Sequence, residues 1–312
     1  MIVRWGLAAL PAVLADVGVR RPLLVASPRW DVRIDAIARW SEVPSDRVDD
    51  AVAEVGDGVV AVGGGSAIDL AKAISAASGT PLVSVPTTYA GAEWTTYYGV
   101  RDPERKLRGG GGGAHPAGIV YDVGLTLDLP RAQTVGTAMN ALAHCAEALY
   151  VRGRNDEADA HALEGARLIV DWLPRVVEEP NDVEARTGLL RGACHAGAAL
   201  GGAGLGLGHA MAQAVGGRYG LPHGTVNGIC LPAALRWNAQ WAPDAVARFT
   251  AVVPDVERLA ALGGPTRLAD LGVPHADLPE LAEAAASRNG NKANPRPATA
   301  AEIEELLASV FE

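Results

Sequence analysis

Short unbroken apolar runs alternate with helical spacing in the N-terminal part of the chain, and helical spacing takes over beyond it. Leu7, Leu10, Leu14 and Val17 keep a three-to-four-residue rhythm, and residues 22–26 follow as a strand. Residues 31–39 and 46–55 read as short helices, the second with Ser45 as its N-cap. Residues 58–62 are apolar on both faces, as a strand covered on both sides of a sheet requires. Residues 67–77 bring Ile68, Ala71 and Ile74 to one helical face, and residues 81–86 and 118–122 are further strands. Leu129-Pro130 ends this pattern. Helices are predicted over 132–152, 156–173, 182–200 and 205–215, with shorter ones over 226–237, 243–252, 255–262 and 266–271. The last, over 300–311, is opened by Thr299 and Glu302 as a capping box.

Between the strand at 58–62 and the next helix stands Gly63-Gly64-Gly65-Ser66. Glycines let the backbone approach a ligand closely, and a helix start offers unpaired N–H groups and partial positive charge. Strand, glycine turn and helix therefore suit a phosphate, with a tight packing turn as the plainer alternative. The fold class expected is an α/β nucleotide-binding domain with a parallel sheet, 1–129, followed by an all-helical domain, 130–312. Thr87 and Thr88 open the polar loop 87–94 at the sheet edge where such folds carry ligand contacts, with Tyr89 and Trp94 as candidate walls of a ring pocket. The five glycines at 109–113 read as a flexible surface loop, since no helix start follows them, and His115 as solvated.

Composition narrows the function classes. The chain has 312 residues, 49% of them hydrophobic, enough for two cored domains. A net charge of −9 with only three lysines leaves no basic stretch to follow a phosphate backbone, which argues against a nucleic-acid partner. Cys145, Cys194 and Cys230 are odd in number, far apart and in apolar settings, which suits free thiols in the reducing cytoplasm. Residues 1–15 faintly mimic an export leader, but their helical spacing favours a helix. No apolar run reaches the roughly 20 residues a membrane span requires.

The chemistry is concentrated between residues 138 and 223. Asn140 and His144 are four apart, hence one turn apart on one helical face. His209 and His223 flank a break at Gly216, Gly217 and Gly220, so two elements could aim both imidazoles at one point. Three His and one carboxamide that converge make a candidate acid–base or metal site.

Four segments together carry a resemblance. They are Gly63-Gly64-Gly65-Ser66 with Asp69 and Lys72, Pro86-Thr87-Thr88-Tyr89-Ala90-Gly91-Ala92-Glu93, Asn140-Ala141-Leu142-Ala143-His144, and Pro222-His223-Gly224. In order and spacing, over nearly the whole chain, they resemble the iron-containing (group III) alcohol dehydrogenase family. Tyr89-Ala90, Asn140 in place of the family's usual Asp, and Asn294-Pro295-Arg296-Pro297 resemble its maleylacetate reductase-like branch. The resemblance implies the dehydroquinate synthase-like, group III alcohol dehydrogenase fold, an active site between the two domains, NADH or NADPH as cofactor and a homodimer. The implied activity is NAD(P)H-dependent reduction of an unsaturated or keto acid by hydride transfer with His acid catalysis.

Residue by residue, the resemblance assigns Gly63, Gly64, Gly65 and Ser66 to the cofactor pyrophosphate, and Thr87 and Thr88 to the loop lining the cofactor. Ser27 falls near where NAD-selective members carry an acidic group, and with Arg29 suits a 2′-phosphate. Metal-dependent members bind Fe or Zn through an Asp and three His, positions held here by Asn140, His144, His209 and His223. Asn removes the one anionic ligand, and the branch is described as working without metal. Metal is therefore expected to be absent, with one His as proton donor and the others, with Asn140, orienting. Tyr89 and Arg296 are expected to meet the substrate, and Lys292, Arg218 and Arg101 are further cations for a dicarboxylate. Gln213 stands where many relatives have a His near the nicotinamide, and Ala92 where the family usually has Ser. The alternatives are an Fe- or Zn-dependent alcohol or aldehyde dehydrogenase, with metal on His144, His209 and His223, and a nucleotide-binding relative without redox turnover.

Overall fold

The apolar runs become the strands of one parallel sheet. The computed structural model describes all 312 residues, and its first unit is Met1–Asp128. It runs β1 (Ile2–Trp5), α1 (Leu10–Asp16), β2 (Leu23–Ala26), β3 (Ala38–Trp40), α2 (Val48–Val52), β4 (Val59–Gly63), α3 (Gly65–Ser78), β5 (Pro81–Pro86), β6 (Tyr98–Arg101), β7 (Leu107–Gly111) and β8 (His115–Tyr121). The six-stranded sheet has the order β1-β8-β5-β4-β2-β3, with every neighbouring pair parallel. From β2 the chain moves outward to β3, and from β4 it moves the other way to β5. The order therefore reverses between β2 and β4, where open α/β sheets bind ligands at the carboxyl ends of their strands.

Alternate residues of these strands feed two cores. Leu24, Val60, Val62, Val83, Val85 and Val120 share one with Leu10 and Val13 of α1. Leu23, Val25, Val59, Ala61 and Leu82 share the other with Ile68, Ala71 and Ile74 of α3. Both faces are covered, which is why the strands read as unbroken apolar runs.

Three N-terminal expectations are corrected. Residues 31–39 form no helix: Arg39 Nη2 donates to the carbonyls of Ser27 at 2.8 Å and Trp30 at 2.6 Å, pinning an irregular segment that leads into β3. The helix expected over 46–55 shrinks to α2, capped by Arg47, while the Ser45 hydroxyl accepts from Arg47 N–H at 3.3 Å. The glycine run 109–113 is largely strand, since β7 pairs antiparallel with β6. Glycine is needed there because a Cβ at Gly110 would lie 2.8 Å from the Tyr98 carbonyl, and one at Gly111 would lie 2.8 Å from the Tyr98 hydroxyl. His115 is exposed, as expected.

The second unit, Leu129–Glu312, is helical throughout: α4 (Arg131–Ala148), α5 (Asp156–Glu178), α6 (Val183–Ala203), α7 (Leu207–Tyr219), α8 (His223–Asn238), α9 (Pro243–Val252), α10 (Val256–Ala261), α11 (Leu278–Ala286), α12 (Asn289–Ala293) and α13 (Ala300–Ala308). Met211, Val215, Val226, Ile229, Leu281, Ala285, Ile303 and Leu307 form one of its cores, joining α7, α8, α11 and α13. The Thr299–Glu302 capping box opens α13 as the sequence indicates. The helix expected over 266–271 is only a 3₁₀ turn, Ala269–Leu271. No helix is long and apolar enough to cross a membrane.

Candidate active site

The glycine turn is built for close approach. β4 delivers Gly63 at φ 154°, and α3 begins two residues later with no side chain capping its first N–H groups. A Cβ at Gly64 would meet Thr88 Cγ2 at 2.9 Å, whereas one at Gly65 would meet nothing within 4 Å. The turn thus packs against the Thr88 loop on one side and leaves a cradle on the other that a side chain would fill. A nucleotide pyrophosphate fits such a cradle. Thr87 is buried and Thr88 half-buried. Ser27, at the end of β2, is half-buried, and Trp30 Nε1 lies 4.0 Å from where a Gly63 Cβ would be. Arg29 stacks over the Trp30 ring at 4.7 Å.

The loop after β5 is anchored from below. The buried Lys72 ammonium meets Asp69 at 2.8 Å, Thr95 Oγ1 at 2.9 Å and the Tyr97 carbonyl at 2.6 Å. Glu93 is buried and accepts from Tyr121 Oη at 2.7 Å, and burial raises its carboxyl above the usual range. Tyr89, expected to meet substrate, is fully buried at 0% exposure and presents no surface to a ligand. Trp94 donates its Nε1–H to Tyr121 Oη at 2.8 Å.

In the second unit, α4, α7 and α8 bring the His residues together. α4 and α8 cross almost backbone to backbone: a Cβ at Gly224 would stand 2.2 Å from the Gly136 carbonyl oxygen. Gly136 lies one turn before Asn140, and Gly224 one turn before Asn227. The crossing sets Asn227 Nδ2 on Asn140 Oδ1 at 2.6 Å. The αL cap at Gly220, with Leu221 N–H returning to the Gly216 carbonyl, ends α7, and Pro222 starts α8 with His223 as its first residue.

The cluster is a connected chain. His209 gives its Nδ1–H to Glu147 at 2.7 Å, and its Nε2 faces Asn140 Oδ1 at 3.2 Å. Asn227 Nδ2 also reaches His223 Nε2 at 2.9 Å. His144 stacks on His209, ring centroids 4.7 Å apart, with its Nε2 3.5 Å from Asn140 Nδ2 and its buried Nδ1 unpaired. Burial first, then the neighbouring His209 and His223, hold His144 well below its ordinary pKa, so this ring is neutral at neutral pH. His209 is 1% exposed and His144 3%, whereas His223 is half-buried. All four sequence candidates, Asn140, His144, His209 and His223, therefore meet in one cluster.

Two members had escaped notice. Glu147 lies seven after Asn140, on the same face of α4, and is 0% exposed. Besides the His209 ring it accepts the backbone N–H groups of Gly206 at 2.7 Å and His209 at 2.9 Å. A Cβ at Gly206 would meet its Cδ at 3.1 Å, so the glycines before His209 make room for this carboxylate. Asn227 is the second.

A divalent cation would meet only neutral donors here. The converging groups are three imidazoles and two carboxamides, with no anionic ligand among them. Each Nε2 faces a carboxamide, and the carboxylate of the cluster, Glu147, is engaged by three N–H groups. The buried thiols add nothing, since burial pushes Cys145 upward and Cys230 to about 12.

The cations expected for substrate are mostly neutralised. Arg296 is held by both oxygens of Glu302, at 3.0 and 2.8 Å, and sits over the rings of Trp237 and Trp241 at 4.7 and 4.8 Å. It braces the start of α13, so a substrate role is not what its contacts favour. Arg218 pairs with Asp277 and Glu280, and Arg101 with the Arg105 carbonyl. Lys292 is exposed on α12.

Known proteins share this fold and much of its sequence. The profile described as "Fe-containing alcohol dehydrogenase family, C-terminal" matches residues 134–311, and that described as "Iron-containing alcohol dehydrogenase" matches residues 4–122. Maleylacetate reductase 1 of Cupriavidus pinatubonensis (strain JMP 134 / LMG 1197) is 34% identical over 97% of this chain and 92% of its own length. Maleylacetate reductase 1 of Rhodococcus opacus is 39% identical over 82% and 73%. The crystal structure of maleylacetate reductase from Rhizobium sp. strain MTP-10005 matches with a TM-score of 0.89 at 32% identity, covering 99% of this chain and 95% of that one.

Proposed function

This chain belongs to the iron-containing alcohol dehydrogenase family, in its maleylacetate reductase-like branch, and we propose that it reduces maleylacetate or a similar unsaturated keto acid with NADH or NADPH, without a metal. It is an oxidoreductase. The observation that carries the metal-free reading is the cluster in which Glu147 accepts from His209, Asn227 donates to Asn140 and His223, and carboxamides face all three Nε2 atoms that a cation would need.

Gly63, Gly64, Gly65, Ser66, Thr87, Thr88 and Ser27 hold the dinucleotide, whose reduced nicotinamide supplies the hydride when bound. Hydride arriving at an enone or ketone leaves negative charge on the carbonyl oxygen, and a positioned N–H stabilises it. His223, the accessible end of the chain, is the donor. Asn227 Nδ2 donates to its Nε2, which places the proton of the neutral ring on Nδ1. That N–H hydrogen-bonds the developing oxyanion, its proton is replaced from solvent at the half-buried ring as it passes to the substrate, and hydride plus proton complete a two-electron reduction. His209 is locked by Glu147 and stands against Asn140, which Asn227 holds in register. His144 stays neutral and fills the space behind them. The three free thiols suit the cytoplasm, and the branch resemblance suits a homodimer.

The reading is tested by incubating the purified protein with maleylacetate and NADH, then NADPH. Oxidation of either supports it. Turnover of simple alcohols or aldehydes alone, or of no carbonyl compound, overturns it.

A further inference from the structure

Arg288 lies at the junction of α11 and α12, half-buried, with no carboxylate against it. Its Nη1 reaches Gln213 Oε1 at 3.4 Å and its Nη2 the Gln213 carbonyl at 3.2 Å, while its buried Nε has no partner. Burial lowers its pKa, with no anion opposing the shift. The neighbouring cations differ in kind: Arg296 is matched by Glu302 and Arg218 by Asp277 and Glu280. A guanidinium withdrawn from water without a counter-ion costs free energy that an incoming anion returns.

Its position relates it to the His cluster. His209, Gln213 and Gly217 follow one another at four-residue spacing along α7, and Arg288 lies against the last two. A Cβ at Gly217 would stand 3.9 Å from Arg288 Nη2, so the helix presents no side chain there. Gln213 is one turn, about 6 Å, from His209 along the axis. That span is a few carbon–carbon bonds.

We propose that Arg288 binds a carboxylate of the substrate and that Gln213 positions its guanidinium. The assignment rests on the reductase reading of the His site and narrows it to acids whose carboxylate stands a few bonds from the carbonyl, dicarboxylates among them. The planar fork of Arg suits a carboxylate in two-point contact.

The test compares wild type with Arg288→Met and Arg288→Lys in three measurements: steady-state reduction of maleylacetate, reduction of the neutral enone 4-hexen-3-one, and calorimetric binding of succinate. Arg288→Met is expected to raise the KM for maleylacetate and weaken succinate binding, each by about 10- to 100-fold, and to leave the neutral enone unaffected. Arg288→Lys recovers part of the loss, because charge returns without the fork. Thermal melts confirm that the variants fold. A guanidinium that merely braces α7 would lower the melting temperature and leave both acid measurements unchanged, which overturns the proposal. Succinate binding through Arg288 without maleylacetate turnover sustains the anion site and removes the proposed reaction. Maleylacetate turnover with an unchanged KM in Arg288→Met does the reverse.

Discussion

His209 gives both its ring Nδ1–H, at 2.7 Å, and its backbone N–H, at 2.9 Å, to the two oxygens of Glu147. One buried carboxylate thus sets the ring's tautomer and anchors the first turn of α7. Removing the charge while keeping the shape, Glu147→Gln, forces one of its N–H partners against an amide N–H. The expected result is a fall in kcat of at least about 10-fold with unchanged NADH affinity, because the chain from His209 to His223 loses its anchor. His223→Gln is expected to lose more, on the order of 10²-fold or above, as the donor itself is gone. Steady-state kinetics with cofactor titration decide it, and full activity in His223→Gln contradicts the assigned proton donor.

Gly64 and Gly65 are neighbours with opposite constraints. Alanine at Gly64 meets Thr88 at 2.9 Å, so the loop must shift and stability falls. Alanine at Gly65 meets no protein atom within 4 Å and sits at the first position of α3, where it favours the helix by up to about 1 kcal/mol. Gly65→Ala is therefore expected to melt no lower than wild type yet bind NADH on the order of 10-fold more weakly, since its methyl enters the phosphate cradle. Equal NADH affinity, read by fluorescence titration, would mean that the dinucleotide lies elsewhere.

Glu302 gives a pH dependence of stability. Its carboxyl is held at about 2, below the ordinary 4.5, first by the Arg296 guanidinium and then by Thr299 N–H. A carboxyl that is more acidic when folded stabilises the fold in its ionised form. The contribution is therefore complete above the unfolded value and is lost as pH falls through the folded one. The gap in melting temperature between wild type and Glu302→Gln is expected to be constant above about pH 5 and to close towards about pH 2. A gap that persists at the acid end would assign the effect to packing of Arg296 between Trp237 and Trp241 rather than to charge.

How much was legible in the sequence depended on how local the cause is. Asn140 and His144 were readable because four-residue spacing alone puts them on one face, and the Gly220–Pro222 punctuation separated α7 from α8. The same spacing rule points to Glu147 on α4 and to Asn227 after His223; a carboxylate set among Cys145, Ala146 and Ala148 was the available signal. β7 was not legible, since its glycines carry no apolar pattern and are selected by the Tyr98 backbone and ring across the hairpin. The segment 31–39 has Val32 and Ile34 but no helix, because Arg39 ties back to carbonyls earlier in the chain. Arg288 escaped for a related reason: its meaning comes from contact with Gln213, distant in sequence, and no motif surrounds it. Arg296, by contrast, stood in a recognisable motif and proved to be matched by Glu302.

In the reading proposed here His223, oriented by Asn227 and Asn140 and backed by His209 and His144, polarises the substrate without a metal. The most direct measurement is maleylacetate-dependent NADH and NADPH oxidation with and without a strong chelator, alongside elemental analysis of the same preparation. Turnover is expected to be indifferent to chelator, with far less than one equivalent of iron or zinc per chain. Stoichiometric metal together with activity abolished by chelator and restored by adding the metal back would contradict it.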